Sequence, residues 1–302
     1  MDNYTDFNEI IDVKKIKQYR HKSEKRWYIA LVIINILIIG SVISVFAYNF
    51  KENYKNIKES IVETYNNPDT AESDIENIPT DVKVLCYGLL LFLILPFSVN
   101  FMYAGVRSRA IRITERNFPD VYERIVKYSK ILGLRKVPEA YIVQENGVLN
   151  AFSAFIIRKQ YIQINADLFE IAYREHHDLD SISFVIAHEL SHIKLKHATF
   201  LYHISILYSS VIPILGSTAS RAREYSCDRL AQKVTGNSGI EAMLSLMAGK
   251  HLYKDVDIED YLKHANEVKG FFVWCYNLSS SHPIMTKRIK ALEMEEGSGQ
   301  LY

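Results

Sequence analysis

The sequence predicts an α+β, mainly helical chain: two transmembrane helices near its start, then a soluble domain with a small β-sheet. Three observations carry this. Residues 27 to 49 and 84 to 106 contain no charged side chain, and at ~1.5 Å per residue each can cross a hydrocarbon core of about 30 Å. From residue 107 the composition becomes that of a soluble domain, with helical spacing interrupted by one run rich in β-branched and aromatic residues. The 36 basic residues nearly balance 35 acidic ones, so the formal charge of +1 provides no global field for nucleic acid.

Taken in order, residues 1 to 26 form a basic N-terminal segment carrying Lys14, Lys15, Lys17, Arg20, Lys22, Lys25 and Arg26. The first apolar helix, 27 to 49, reads as a retained anchor, because a polar stretch precedes it and no small-residue cleavage site follows. The loop 50 to 83 has four lysines against eight acidic residues, and the second helix, 84 to 106, is followed by Arg107, Arg109, Arg112 and Arg116. By the positive-inside rule both ends are cytoplasmic and the acidic loop is outside. The expectation is an integral membrane protein of two spans, in a plasma membrane of bacterial type, with residues 107 to 302 in the cytoplasm. Cys86, Cys227 and Cys275 show no paired spacing, which fits a reducing compartment.

Within the domain, Val121, Ile125, Tyr128 and Leu132 form one helical stripe ended by Gly133. The stretch 139 to 169 predicts a small sheet, broken by turns at Asn146-Gly147 and at Arg158 to Gln160. From Asp180, a plausible N-cap, the helical period returns. The tail "EEGSGQLY" reads as frayed.

That last helix contains "HELSH". His188 and His192, four residues apart, project from one helical face and can meet one metal ion. Glu189, one step round the helix, can reach a water on that metal and act as general base. A Zn²⁺ ion on three protein ligands keeps a fourth position for water and lowers its pKa toward about 7. The metzincin pattern for a third ligand fails, since position 195 is Leu and position 198 is Ala, and His197 falls one residue off and is read as solvated. Downstream, "SRAREYSCDRLAQKV" offers Glu224 as an oxygen ligand and Asp228 to accept a hydrogen bond from the second nitrogen of a ligating histidine. The bland alternative is a helix whose carboxylates pair with neighbouring arginines.

A shared metal also constrains topology. Residues 198 to 217 are apolar enough for a third span, but one crossing would separate Glu224 from His188 and His192, and two would need roughly 40 residues. The segment is therefore expected not to span, but to pack on the domain or lie on the bilayer.

Over residues 107 to 292 the chain resembles the HtpX-like membrane-bound zinc endopeptidases, relatives of the CAAX prenyl proteases, with "NAFS" at 150, "HELSH" at 188, "EYSCD" at 224 and "SHPIMTKRI" at 281 in the family's order. The resemblance implies a gluzincin-type metallopeptidase domain with an active-site HExxH helix. One Zn²⁺ per chain would be held by His188, His192 and Glu224, with Glu189 catalytic and Asp228 behind the ligands. It further implies that Asn150 binds substrate backbone beside an edge strand, "AFIIRK", that His282 donates to the oxyanion, and that Arg288 supports that segment. Polypeptide substrates, above all membrane proteins under quality control, and contact with the lipid bilayer follow as expectations. The chain departs from the family in having one short apolar segment after HExxH, and Cys227 where a small alanine is common. A prenylated-peptide protease and an inactive zinc-stabilised scaffold are the rival readings. Two spans disfavour the first, and the presence of Glu189 disfavours the second.

Overall fold

The computed structural model describes residues 13–66, 78–144, 151–156, 159–294 and 299–302; Asn150 and the Asn146-Gly147 turn lie outside them. A short helix α1 (Val13–Tyr19) leads into α2 (Glu24–Tyr48), then α3 (Phe50–Asn66) and α4 (Thr80–Arg109). The two membrane-length helices are α2 and α4. They extend beyond the uncharged runs because helical hydrogen bonding continues into their polar ends. Only 11% of the apolar window of α2 and 6% of that of α4 is buried, so neither is the core helix of a soluble fold. Asn49 and Asn53 donate to Asp81 Oδ2 at 3.2 and 2.7 Å, joining the far ends of the pair.

The sheet follows: β1 (Ile111–Arg112), β2 (Glu139–Val143), β3 (Ala151–Ile156) and β4 (Lys159–Asn165), with α5 (Pro119–Ile131) between the first two. The strand order is β1-β2-β4-β3, with β2 and β4 parallel and the other pairs antiparallel. This makes β3 an edge strand. It starts at Ala151, three residues before the predicted "AFIIRK", and Ile156 pairs with Lys159, which opens β4. The extent of β3 is set by its register on β4, from Ala151 opposite Ile164 to Ile156 opposite Lys159, which the composition of the segment does not show. The stripe Val121, Ile125, Tyr128 and Leu132 is buried as expected, and Gly133 ends the helix in the left-handed region at φ 59°.

The remaining helices are α6 (Ala166–Glu170), continuing into a single π turn at Ile171–Glu175, α7 (Leu179–Lys194), α8 (Phe200–Ser205), α9 (Leu215–Thr235), α10 (Ile240–Leu252), α11 (Ile258–Glu267), α12 (Phe271–Ser279) and α13 (Met285–Glu293). Helix α7 runs through the core, its Ile182, Phe184, Ile186 and Leu190 packed among Ile125, Ile164, Leu230 and Ile289. Its N-cap is Asp178 rather than Asp180. Asp178 accepts from the backbone N–H of Asp180 and Ser181 at 3.0 and 2.9 Å, and Tyr253 and Ser181 hydroxyls donate to its other oxygen at 2.7 Å. Those fixed donors select the earlier aspartate.

Residues 198–217 form no membrane-length helix: α8, a 3₁₀ turn at Ser209–Val211 and the start of α9 fold back along α2. Tyr202 stacks on Tyr28 at 4.8 Å, and buried Asn35 of α2 accepts from the N–H groups of Tyr208 and Ser209 at 2.9 and 3.3 Å. The Tyr208 hydroxyl donates to the Gly88 carbonyl of α4 at 2.8 Å. Irregular backbone beside apolar helices persists only when its polar groups are satisfied in this way. A Cβ at Gly216 would lie 2.0 Å from the Ser210 carbonyl oxygen, so the return into α9 requires glycine. The described end of the tail is not frayed: Leu301 is buried, and its carbonyl accepts from Arg221 Nε and Asn277 Nδ2 at 3.0 Å each. The buried Arg221 needs acceptors there.

Candidate metal centre

The site is built where α7 and α9 cross. Four-residue spacing puts His188 and His192 one turn apart on α7, their Nε2 atoms 3.2 Å from each other. Helix α9 brings Glu224 against both, Oε2 at 3.4 Å from His188 Nε2 and Oε1 at 3.4 Å from His192 Nε2. Around a tetrahedral ion with bonds of ~2.0–2.1 Å, neighbouring donors lie about 3.3 Å apart. The triangle therefore has the size, and the two-imidazole, one-carboxylate chemistry, that suits a hydrolytic metal. Burial works against a charge on Glu224, but the two histidines outweigh it and hold the carboxyl well below the usual range. Glu189 is buried beside His188 and lines the same cavity of about 630 Å³, together with Ser153 of the edge strand, Tyr276 and His282.

His188 is supported from inside the domain. Its Nδ1 lies 2.9 Å from Asp228 Oδ1. No well-directed hydrogen bond joins the two in this ring orientation, so the contact is chiefly electrostatic. Arg288 clamps Asp228 with two hydrogen bonds of 2.8 and 2.6 Å and lies 3.6 Å from Glu224. Burial opposes the charge on Asp228, and Arg288 with His188 outweighs burial and keeps it ionised. His282 stands at the cavity mouth, its side chain 62% exposed, with Nε2 3.7 Å from Glu224 Oε1. Ser281 Oγ lies 3.1 Å from its Nδ1.

His192 is supported from the side of α2, through His197 and Glu24. Its Nδ1 is 3.2 Å from His197 Nδ1, and His197 Nε2 is 3.0 Å from Glu24 Oε1 at the start of α2. Arg20 donates to Glu24 at 2.6 Å, and so does Ser226 Oγ. An ionised carboxylate only accepts, so His197 keeps its proton on Nε2 and accepts at Nδ1 from His192. With a metal in place, His192 would present its Nε2 lone pair toward the ion between His188 and Glu224. Burial lowers the His197 pKa to about 3, so the ring is neutral. The expectation of a solvated His197 is thus corrected. The helix ends at Lys194 and Lys196 turns left-handed at φ 67°, so His197 leaves the helical path on which it would point away.

Cys227 Sγ lies 3.7 Å from His197 Nδ1, so His192, His197 and Cys227 make a second group of metal-binding residue types. Burial, reinforced by Glu224, Glu24, Asp228 and Glu189, pushes the Cys227 pKa well up. It stays a thiol. The only local hint of Glu24's importance is a lone acid amid basic residues at the head of an apolar helix.

A cleft holding this triangle, on a mainly helical domain behind two membrane-length helices, has the donor set and setting that suit a membrane-associated metallopeptidase. Residues 114–212 and 199–296 match peptidase family M48. The chain belongs to that family. It is also 24% identical, over 217 residues, to the plastoglobule-localized metallopeptidase 48, chloroplastic, of Arabidopsis thaliana, a match covering 64% of this chain and 60% of that protein. The family is metal-dependent and acts on polypeptides.

Proposed function

We propose that the protein is a zinc metalloendopeptidase acting on membrane or membrane-associated polypeptides. The carrying observation is the triangle of donors 3.2 to 3.4 Å apart beside Glu189 in an open cavity. In this reading His188, His192 and Glu224 hold one Zn²⁺ per chain. Bound zinc supplies a Lewis acid for the scissile carbonyl and lowers the pKa of a water. Glu189 takes the proton of the attacking water and returns it to the leaving amine. His282, exposed at the cavity mouth, donates to the oxyanion. The outer edge of β3 pairs with extended substrate, with Asn150 just ahead of it contacting the backbone. Asp228 and Arg288 hold His188 in place.

Helices α2 and α4 anchor the chain as spans over 27–49 and 84–106, with 1–26 and the domain 107–302 in the cytoplasm and 50–83 outside, as the flanking basic residues favour. A cleft built beside a segment packed on α2 favours substrates presented at the bilayer, such as damaged membrane proteins. The test compares wild type with Glu189→Gln, each supplied with zinc and unfolded casein in detergent. Equal zinc content with cleavage reduced by ~10²–10⁴-fold in the variant is expected. Equal zinc and no cleavage by either protein would overturn the reading in favour of a zinc-stabilised scaffold.

A further inference from the structure

Beside the mouth of the metal centre's cavity, α12 carries "FFVWCYNLS" and presents its aromatic side chains outward, Phe272 at 83% and Tyr276 at 69% exposure, with Phe271 and Trp274 also exposed. Behind it lies a cavity of about 640 Å³ lined by Lys269, Lys287, Lys290, Trp274 and Thr286, with no acidic side chain among the described lining residues; Lys287 donates to the Tyr302 carbonyl, which leaves Lys269 and Lys290 as the cations for a ligand. Burial and then the charge of Lys269 lower the Lys290 pKa, against the pull of Glu293. The aromatic face and the lysine cavity meet at Trp274.

The location of α12 connects this surface to the membrane helices. Its Leu278 carbonyl accepts from Ser217 Oγ at 2.8 Å and from Arg221 at 2.9 Å. Two residues before Ser217, Leu215 packs in the cluster formed by Leu31 of α2, Ile206 and Ala219. Leu31 is four residues beyond Trp27, where the uncharged run begins, about 6 Å along the helix. The end of α12 is therefore tied to a segment level with the outer edge of the apolar zone, where exposed Trp, Tyr and Phe with adjacent lysines are favoured.

We propose that α12 is an interfacial membrane helix and that the lysine-lined cavity behind it binds the phosphate headgroup of an anionic phospholipid. A phospholipid offers an anion for the lysines and acyl chains for the aromatic face at one junction. Because Tyr276 of this helix also lines the catalytic cleft, the contact sets the cleft at the bilayer surface. The inference rests on α2 spanning the membrane but not on the catalytic assignment.

The test uses the full chain in nanodiscs. Trp27 and Trp274 are its two tryptophans, so Trp27→Phe leaves Trp274 as the sole reporter. Brominated acyl chains should quench Trp274, and phosphatidylglycerol should shift its emission relative to phosphatidylcholine alone. In the native-tryptophan chain, phosphatidylglycerol retained through purification should fall several-fold in K269Q/K290Q and recover in K269R/K290R. Absence of bromolipid quenching would overturn the interfacial helix. Unchanged lipid retention in K269Q/K290Q would overturn the headgroup site, as would failure of the arginine pair to restore it. If inorganic phosphate in phosphatidylcholine discs reproduced the phosphatidylglycerol shift, the site would be one for a soluble anion.

Discussion

The two histidines of HELSH are equivalent in the sequence but not in their surroundings. His188 leans on Asp228 and Arg288, both within the domain, whereas His192 is reached through His197 from Glu24 at the head of the first membrane helix. One support is intrinsic to the peptidase domain, and the other ties His192 to the start of α2. The lesson is that a carboxylate can orient a ligand from another structural unit by fixing the proton positions of one intervening imidazole.

The largest effect should come from breaking the inner support. Asp228→Ala leaves Arg288 buried and without the carboxylate it clamps, a loss of about 3–5 kcal/mol, which thermal or denaturant unfolding of the zinc-free protein would register. The outer support should matter less for folding and more for metal. His197→Leu, or Glu24→Leu, should weaken zinc roughly 10–100-fold in competition with a chelator. His197→Gln, whose amide can accept from His192 and donate to Glu24, should recover most of that loss. Equal affinities for the Leu and Gln variants would mean that His197 only fills space.

How much of this could be read beforehand differs between the two supports. Four-residue spacing put His188 with His192 and Glu224 with Asp228, because helical periodicity is local. The apolar runs of α2 and α4 were equally visible, since they depend on composition. Glu24 and His197 are 173 residues apart, and no periodicity links them. A helical projection points His197 away from the site, but the left-handed turn at Lys196 takes it off that path. The cap at Asp178 was displaced to Asp180 for a related reason: both are aspartates, and the choice is made by Tyr253, which is 75 residues away.

A smaller effect is expected at that cap, a control distant from either support. Asp178→Ala should cost about 1 kcal/mol with zinc affinity unchanged. Burial raises the Asp178 carboxyl, but hydrogen bonds from Ser181 and Tyr253, with Lys254, outweigh it and bring the pKa down to about 2 from 3.8. A depressed acid stabilises the fold fully above its unfolded value, so this contribution should be present above about pH 4 and be lost as pH falls toward 2. Unfolding curves of wild type and variant should converge over that interval.

The most direct measurement is zinc K-edge X-ray absorption on the purified full-length chain. One zinc per chain is expected, with nitrogen and oxygen neighbours at ~2.0–2.2 Å, two of them imidazoles. A sulfur neighbour at ~2.3 Å, disappearing in Cys227→Ala, would contradict it and assign the metal to His192, His197 and Cys227 instead.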